Sequence, residues 1–372
     1  MIEMYCIKCG VKLPEEAVYC VGCGHRVYSV ETENNKEKET GQAMAGTAND
    51  KEIVQAEKST ASKKSKYLEM LNRPIKLFDK PSPPKNYTEK GGITDSNEEM
   101  RISEDGVLLE YLGNSETVTI PEKIKNIGKY AFYGNKTLKR VVMKETVKHI
   151  LQFAFAGCEE LEEVVFSENT DSIGQKAFCG CKKLKNIQLP QSLRSFGVGA
   201  FANCDSIEQI VIPVGVQYIP DYCFYSCKNL WKVEIAHSVK AIGEYAFSQC
   251  HILKYVQLSE QIRVIESNAF SYCKKIEQLE LPSAVYEIKS LAFFGCKALN
   301  KLSLSMKVDS IKKDSFCECD NLLKIHIYEF NDPDISLVEM RRGYKLILNI
   351  FKQISPERAK RYASEHNISK LL

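Results

Sequence analysis

Phenylalanine recurs at a fixed interval of 23 residues, nine times in succession: Phe132, Phe155, Phe178, Phe201, Phe224, Phe247, Phe270, Phe293 and Phe316. Self-similarity at such a period leaves few architectures open. A unit this short cannot bury its own apolar face, so neighbouring units must stack and share one continuous core, which is a solenoid. The functional question therefore moves from a catalytic pocket toward an extended surface.

The rest of the unit keeps the same phase. Three residues after the Phe stands Cys158, Cys181, Cys204, Cys227, Cys250, Cys273, Cys296 or Cys319, with Asn135 in the first unit. Six after it stands Leu or Ile, and at +9 and +11 come apolar pairs such as Ile187/Leu189, Val233/Ile235 and Leu302/Leu304. That period-2 alternation predicts a short strand with one buried face. Five residues before the Phe lies another apolar column, from Ile127 to Ile311. Eight before it lies a second, from Ile124 to Val308, interrupted by Thr170. Each coil thus carries two short extended runs and a turn in which a small residue, mostly Ala, precedes the Phe.

These residues resemble the leucine-rich repeat family, in particular its BspA-like class. The pattern L-x-x-I-x-I-P-x-x-V-x-x-I-G-x-x-A-F-x-x-C is legible as LKNIQLPQSLRSFGVGAFANC (184–204) and LWKVEIAHSVKAIGEYAFSQC (230–250), and it extends over residues 118–327. The resemblance implies a mainly β, leucine-rich-repeat β-solenoid used for protein recognition, in a class whose members are often surface or secreted adhesin-like proteins.

Stacked coils are separated by the ~4.8 Å strand spacing, which brings ladder cysteines close enough to suggest disulfides. Asn135 in the same slot argues instead for a position that hydrogen-bonds the loop backbone. The expected state is a column of buried free thiols behaving as small apolar residues. Cys179, Cys223 and Cys317 fall off the ladder and read as packing substitutions.

At the N-terminus, Cys6-x-x-Cys9-Gly10 and Cys20-x-x-Cys23-Gly24 form two pairs separated by ten residues, with Pro14 between them. Four thiolates at this spacing suit tetrahedral Zn²⁺ in a closed structural site, leaving no open position for a substrate. Glycine after each pair allows a positive φ and turns backbone N–H groups toward sulfur. The separation is shorter than the roughly 15–20 residues of larger zinc ribbons. The segment nevertheless resembles the small zinc ribbon that begins many bacterial proteins. A redox dithiol is the competing reading, without a βαβ context to support it.

Four segments follow: a zinc ribbon at 1–28, a disordered linker at 29–100, the solenoid at 101–330 and a helical C-terminal cap at 331–372. Residues 31–66 are rich in Glu, Lys, Thr, Ser and Ala and cannot bury enough surface to fold. An apolar island at 67–78 precedes Pro81-Ser82-Pro83-Pro84. The solenoid is expected to open on an atypical half-unit with Leu109 in the Phe phase. At the other end the phase is lost after Ile327. Leu337, Met340, Tyr344, Ile347, Ile350, Phe351 and Ile354 then fall at helical spacing. Ser355-Pro356-Glu357 reads as N-cap, N1 proline and first-turn acid of a second helix reaching about His366.

The net charge of +3, from 51 basic and 48 acidic residues, supplies no global drive toward nucleic acid or anionic membrane. No apolar run approaches the ~18 residues of a membrane span. The N-terminus lacks a basic region followed by an apolar one, and abundant thiols beside a zinc site suit a reducing compartment. The expectation is a cytoplasmic, bacterial, monomeric protein. Six dispersed histidines, with no nucleophile elbow, phosphate loop or zincin motif, give no support to an enzyme. A nucleic-acid adaptor would rest on the ribbon and on the column Lys125, Lys148, Arg194, Lys240 and Arg263, which Asp171, Gln217, Tyr286 and Asp309 interrupt.

The favoured reading is a protein-interaction scaffold whose site lies on the strand face, centred on units four to six. Outward positions there are +7, +8 and +10. The chain's single tryptophan, Trp231, falls among them beside Lys232 and Glu234, with Lys254, Tyr255 and Gln257 one coil on. An exposed Trp–Tyr pair framed by charges has the composition of an interface hot spot. The alternative is a Trp that only covers the aliphatic stems of its neighbours.

Overall fold

A computed structural model of the chain describes residues 99–185 and 187–372, together with the backbone of 4–5, 12–13 and 93–97. Each repeat folds as one coil, most with two extended runs, and the coils stack in a register shifted by one repeat. Ile187 and Leu189, expected on a strand, lie outside any strand, which parts the first strand-side ladder from the second. On the L-x-x-I-x-L side, Thr117–Thr119, Arg140–Val142 and Glu163–Val165 pair in parallel. Gln209–Ile212, Lys232–Ile235 and Tyr255–Gln257 form a second ladder. Gln278–Glu280, Lys301–Leu304 and Lys324–Ile327 form a third. The opposite side carries two-residue strands, such as Ala241–Ile242 paired with Val264–Ile265, in two ladders that part between Ser195–Phe196 and Tyr218–Ile219.

The nine Phe rings fill the space between the two sides and are fully buried. Successive rings lie with centroids 4.7–5.5 Å apart and planes within 13° of parallel. The coil repeat sets this spacing, and a ring in the same rotamer in every coil must stack. From Phe132 to Phe293, the backbone two residues on either side of the Phe enters the left-handed region, as at Tyr222 (φ 57°) and Ser226 (φ 56°) around Phe224. The strain is held by cross-coil bonds: Tyr222 N donates to Glu244 O, and Ser226 N to Ser248 O.

The cysteine ladder acts through hydrogen bonds. Each of its eight thiols donates to the carbonyl oxygen of the Phe one coil back, with Sγ···O distances of 3.0–3.3 Å. In the first coil, Asn135 Oδ1 accepts from the N–H groups of Thr137 and Leu138, at 3.0 and 2.8 Å. The slot thus serves the turn backbone in both chemistries. The ladder cysteines are free and buried. Burial pushes the Cys158 and Cys250 thiols up to about 12. Thr170, the break in the other column, is also buried, its hydroxyl donating to Val147 O at 3.4 Å.

The N-terminal end differs from the expected half-unit. Ile93–Asn97, Met100–Ser103 and Val107–Tyr111 form an antiparallel meander, whose last strand pairs in parallel with Asn126–Ile127. This sheet begins ahead of residue 101, where the sequence reading started the solenoid. Tyr111, not Leu109, ends the Phe stack. Its ring centroid lies 4.9 Å from that of Phe132, and its N–H donates to Ala131 O as the N–H of every Phe before Phe316 does to the following coil. The terminal coil is two residues shorter than the repeat, so counting back by the period lands on the wrong residue.

At the other end, α1 (Leu337–Ile354) and α2 (Pro356–Glu365) cover the last coil. Ser336 and Glu339 form a reciprocal capping box on α1, and Ser355 caps α2. Ile347, Leu348, Ile350 and Phe351 are buried, whereas Leu337, expected on the apolar face, is 78% exposed. Gly343 admits the ring of Phe330, since a Cβ there would stand 2.5 Å from it. The helices also replace the missing next coil. Phe316 N donates to Gln353 Oε1 (3.0 Å), Gln353 Nε2 donates to Lys312 O (3.0 Å), and Arg358 donates to Leu322 O and Asp320 O. No helix among the described residues is long and apolar enough to cross a membrane.

Candidate functional site

On the strand side, Leu230 and Val233 point inward and are fully buried, which turns Trp231 and Lys232 outward. The register sets Tyr255 directly beside Lys232 on the next coil. Trp231 and Tyr255 meet edge to face, with centroids 5.9 Å apart and planes at 82°. They retain 37% and 53% exposure. Lys232 pairs with Glu234 at 2.6 Å. Lys254 pairs with Glu277 at 3.0 Å, and its ammonium lies 5.5 Å from the centroid of the Tyr255 ring. The hydrogen bond to Glu277 holds the Lys254 ammonium above its ordinary value.

Trp231, Lys232, Glu234, Lys254, Tyr255 and Gln257 line one open groove of about 1230 Å³. The structure thus gathers all six residues singled out from the sequence. The groove lies over the strands that follow Phe224, Phe247 and Phe270, one coil beyond the expected centre. Its other lining residues include Glu260, Glu277, Glu280 and Tyr328. Glu280 stands one coil on from Gln257 in the +10 column, so phase counting could have found it. Tyr328 carries no periodic signal. It follows the last strand and reaches back across two coils, its hydroxyl donating to Leu281 O at 3.0 Å. Burial raises its phenol, with Glu280 and Glu260 adding to the shift.

The groove also marks a seam. Tyr255–Gln257 ends the second ladder and Gln278–Glu280 begins the third. Among the described residues, no backbone hydrogen bond joins Lys254–Leu258 to Glu277–Leu281. The other side of the same coils stays closed, with Val264–Ile265 paired to Glu287–Ile288 and the Phe270 and Phe293 rings stacked at 5.5 Å. At the seam Val256 and Leu258 are only partly buried, whereas their counterparts Val233, Ile235, Leu279 and Leu281 are buried.

The basic column is exposed at Lys125, Lys148, Arg194, Lys240 and Arg263. Asp171, Gln217, Tyr286 and Asp309 separate its members, and Arg342 pairs with Asp309. Cys6, Cys9, Cys20 and Cys23 lie outside the described residues, as do the linker up to residue 92 and its apolar island. The strands on either side of the first cysteine pair, Met4–Tyr5 and Lys12–Leu13, pair antiparallel. Among the described residues no group of three or more His, Cys, Asp or Glu side chains is placed to hold a metal ion.

A parallel solenoid of short repeats, capped at both ends and carrying an open groove on its strand side, defines a repeat protein of leucine-rich type. The BspA type leucine rich repeat region, in six copies, matches residues 108–231 and 217–333. The chain belongs to this family. No curated protein matches it. Among solved structures, it is similar to a leucine-rich repeat protein of T. pallidum, at 26% identity and a TM-score of 0.46, over 49% of this chain and 90% of that one. A leucine-rich repeat protein of Bacteroides ovatus is 24% identical, with a TM-score of 0.44, over 63% of this chain and 74% of the other. The pneumococcal vaccine antigen PcpA is 20% identical, with a TM-score of 0.38, over 57% and 68% of the two chains.

Proposed function

We propose that this chain is a non-enzymatic scaffold that captures a protein partner in the strand-side groove around Trp231 and Tyr255. A single observation carries the reading. Among strand-side residues that are otherwise mostly Lys, Glu and Gln, the sole tryptophan packs edge to face on an exposed tyrosine inside a groove lined by charged pairs. Truncating such aromatic anchors typically costs an interface ~2 kcal/mol or more. Leucine-rich repeats are a protein-binding family, and solenoids present continuous faces of this kind.

In the same reading residues 1–28 form a structural zinc ribbon with Cys6, Cys9, Cys20 and Cys23 as ligands. The spacing supports it, and so does the antiparallel pairing of Met4–Tyr5 with Lys12–Leu13 on either side of Cys6 and Cys9. Zinc would supply much of the folding free energy of a segment as short as this. The buried free thiols suit a reducing, cytoplasmic setting.

The test compares the parent chain with the Trp231→Ala/Tyr255→Ala variant by proximity labelling in the native cell. Neither side chain belongs to the core, so the double variant should melt within a few degrees of the parent while losing the captured partner. Capture that survives, with a lowered melting temperature, would show that the pair is structural and the site lies elsewhere.

A further inference from the structure

The groove's own chemistry narrows the partner. Building on its reading as the interaction site, we propose that the occupant is an extended, positively charged peptide segment of a partner protein.

Charge is the first reason. Four glutamates line the groove against two lysines. Lys232 and Lys254 are both engaged, with Glu234 and Glu277. Glu260 and Glu280 are exposed and have no ion-pair or hydrogen-bond partner among the described residues. Two carboxylates thus remain for a cation brought by the ligand, although the chain as a whole carries a net charge of +3. Attraction of a cation here is local, not a property of the whole surface.

The aromatic groups are the second. Trp231, Tyr255 and Tyr328 line the same space. Trp and Tyr faces attract guanidinium and ammonium groups, and Lys254 already lies against Tyr255 in this way. An arginine or lysine entering the groove meets both π faces and free carboxylates.

The seam is the third reason and selects an extended backbone. Ladder pairing stops at Tyr255–Gln257 and resumes at Gln278–Glu280, leaving two strand edges without a ladder partner along the groove. Open strand edges bind extended peptides through main-chain hydrogen bonds, with alternate side chains supplying specificity. A helix or a compact surface could not use them.

The probe is built into the molecule, because Trp231 is the chain's only tryptophan and lines the groove. Full-length protein is titrated with a synthetic peptide alternating Arg and Thr, and with a counterpart carrying Glu in place of Arg, while Trp231 emission is followed. The basic peptide should give a saturable change that weakens with added NaCl, and the acidic one none. The Glu260→Gln/Glu280→Gln variant should bind the basic peptide about tenfold more weakly, the sum of two partly exposed ion pairs. N-methylation of alternate amides in the basic peptide should abolish the change. A missing response to the basic peptide, an equal response to both peptides, or undiminished affinity in the Gln variant overturns the cationic assignment. Full binding of the N-methylated peptide overturns the extended one. Partner capture in the cell separates this proposal from the one beneath it. If capture survives in the Gln variant but is lost in Trp231→Ala/Tyr255→Ala, the groove remains the interaction site and the cationic partner is wrong.

Discussion

Truncating one ring of the Phe column, Phe224→Ala, tests the core directly. Phe224 is fully buried between Phe201, at 5.5 Å and 2°, and Phe247, at 5.4 Å and 6°, with the edge of Phe196 at 6.2 Å. Losing the buried ring removes a transfer term of about 2 kcal/mol. Each of the two stacked faces adds about 0.5–1.5 kcal/mol beyond its area. The total, ~3–5 kcal/mol, matches the usual cost of Phe→Ala in a core that cannot collapse. Collapse is blocked here because cross-coil hydrogen bonds hold the backbone on both sides of the ring, including Phe224 N to Ala246 O at 2.8 Å. Urea unfolding followed by circular dichroism should show a lower midpoint at an unchanged slope. Phe224→Ala with Phe247→Ala should depart from additivity because the two cavities merge, whereas Phe155→Ala with Phe293→Ala should add. A loss below about 1 kcal/mol for Phe224→Ala would refute the reasoning, because the ring would then not be a packed, confined element of the core.

Gln353→Ala should cost about 1–3 kcal/mol in the same assay, because it strips the partner from Phe316 N–H at the end of the stack; a neutral result would mean that the cap does not stand in for the next coil. Ladder thiols should resist a bulky disulfide reagent near neutral pH. Cys179 and Cys317, less buried and pushed up only to about 11, should react first as the pH rises; prompt labelling of Cys158 or Cys250 would contradict their burial. The folded thiols of Cys158 and Cys250 lie near 12 against an ordinary 9.0, so the unfolded chain ionises first. Their contribution to stability is present below pH 9 and is lost between about 9 and 12, which unfolding midpoints measured across that range will check. Metal analysis of the full-length chain should find a single zinc, lost in Cys20→Ser; metal-free protein with cysteines 6, 9, 20 and 23 paired as disulfides would refute the ribbon.

Phase counting was enough to place Trp231 and Tyr255 on the outer strand face, because alternation within a coil and the fixed repeat between coils are both one-dimensional rules. The same counting failed where the period itself changes. Tyr111 completes the Phe stack from a coil two residues short, and Leu109 fell in its place only by arithmetic. Helical spacing likewise marked Leu337 as part of the cap face, although at the first position of α1 it stays exposed.

The sequence by itself determined the repeat, the buried Phe and Cys columns, the outward strand positions and the two cap helices. Each follows from a local pattern of apolar residues that the chain repeats or a helix period imposes. Tertiary structure alone decided the seam between Tyr255–Gln257 and Gln278–Glu280, the return of Tyr328 to Leu281, and the use of Gln353 and Arg358 as a substitute coil. These features depend on which backbone groups find partners once the coils are stacked and the chain end has folded back. That is a property of distances between segments far apart in the chain, and no periodicity within a coil encodes it.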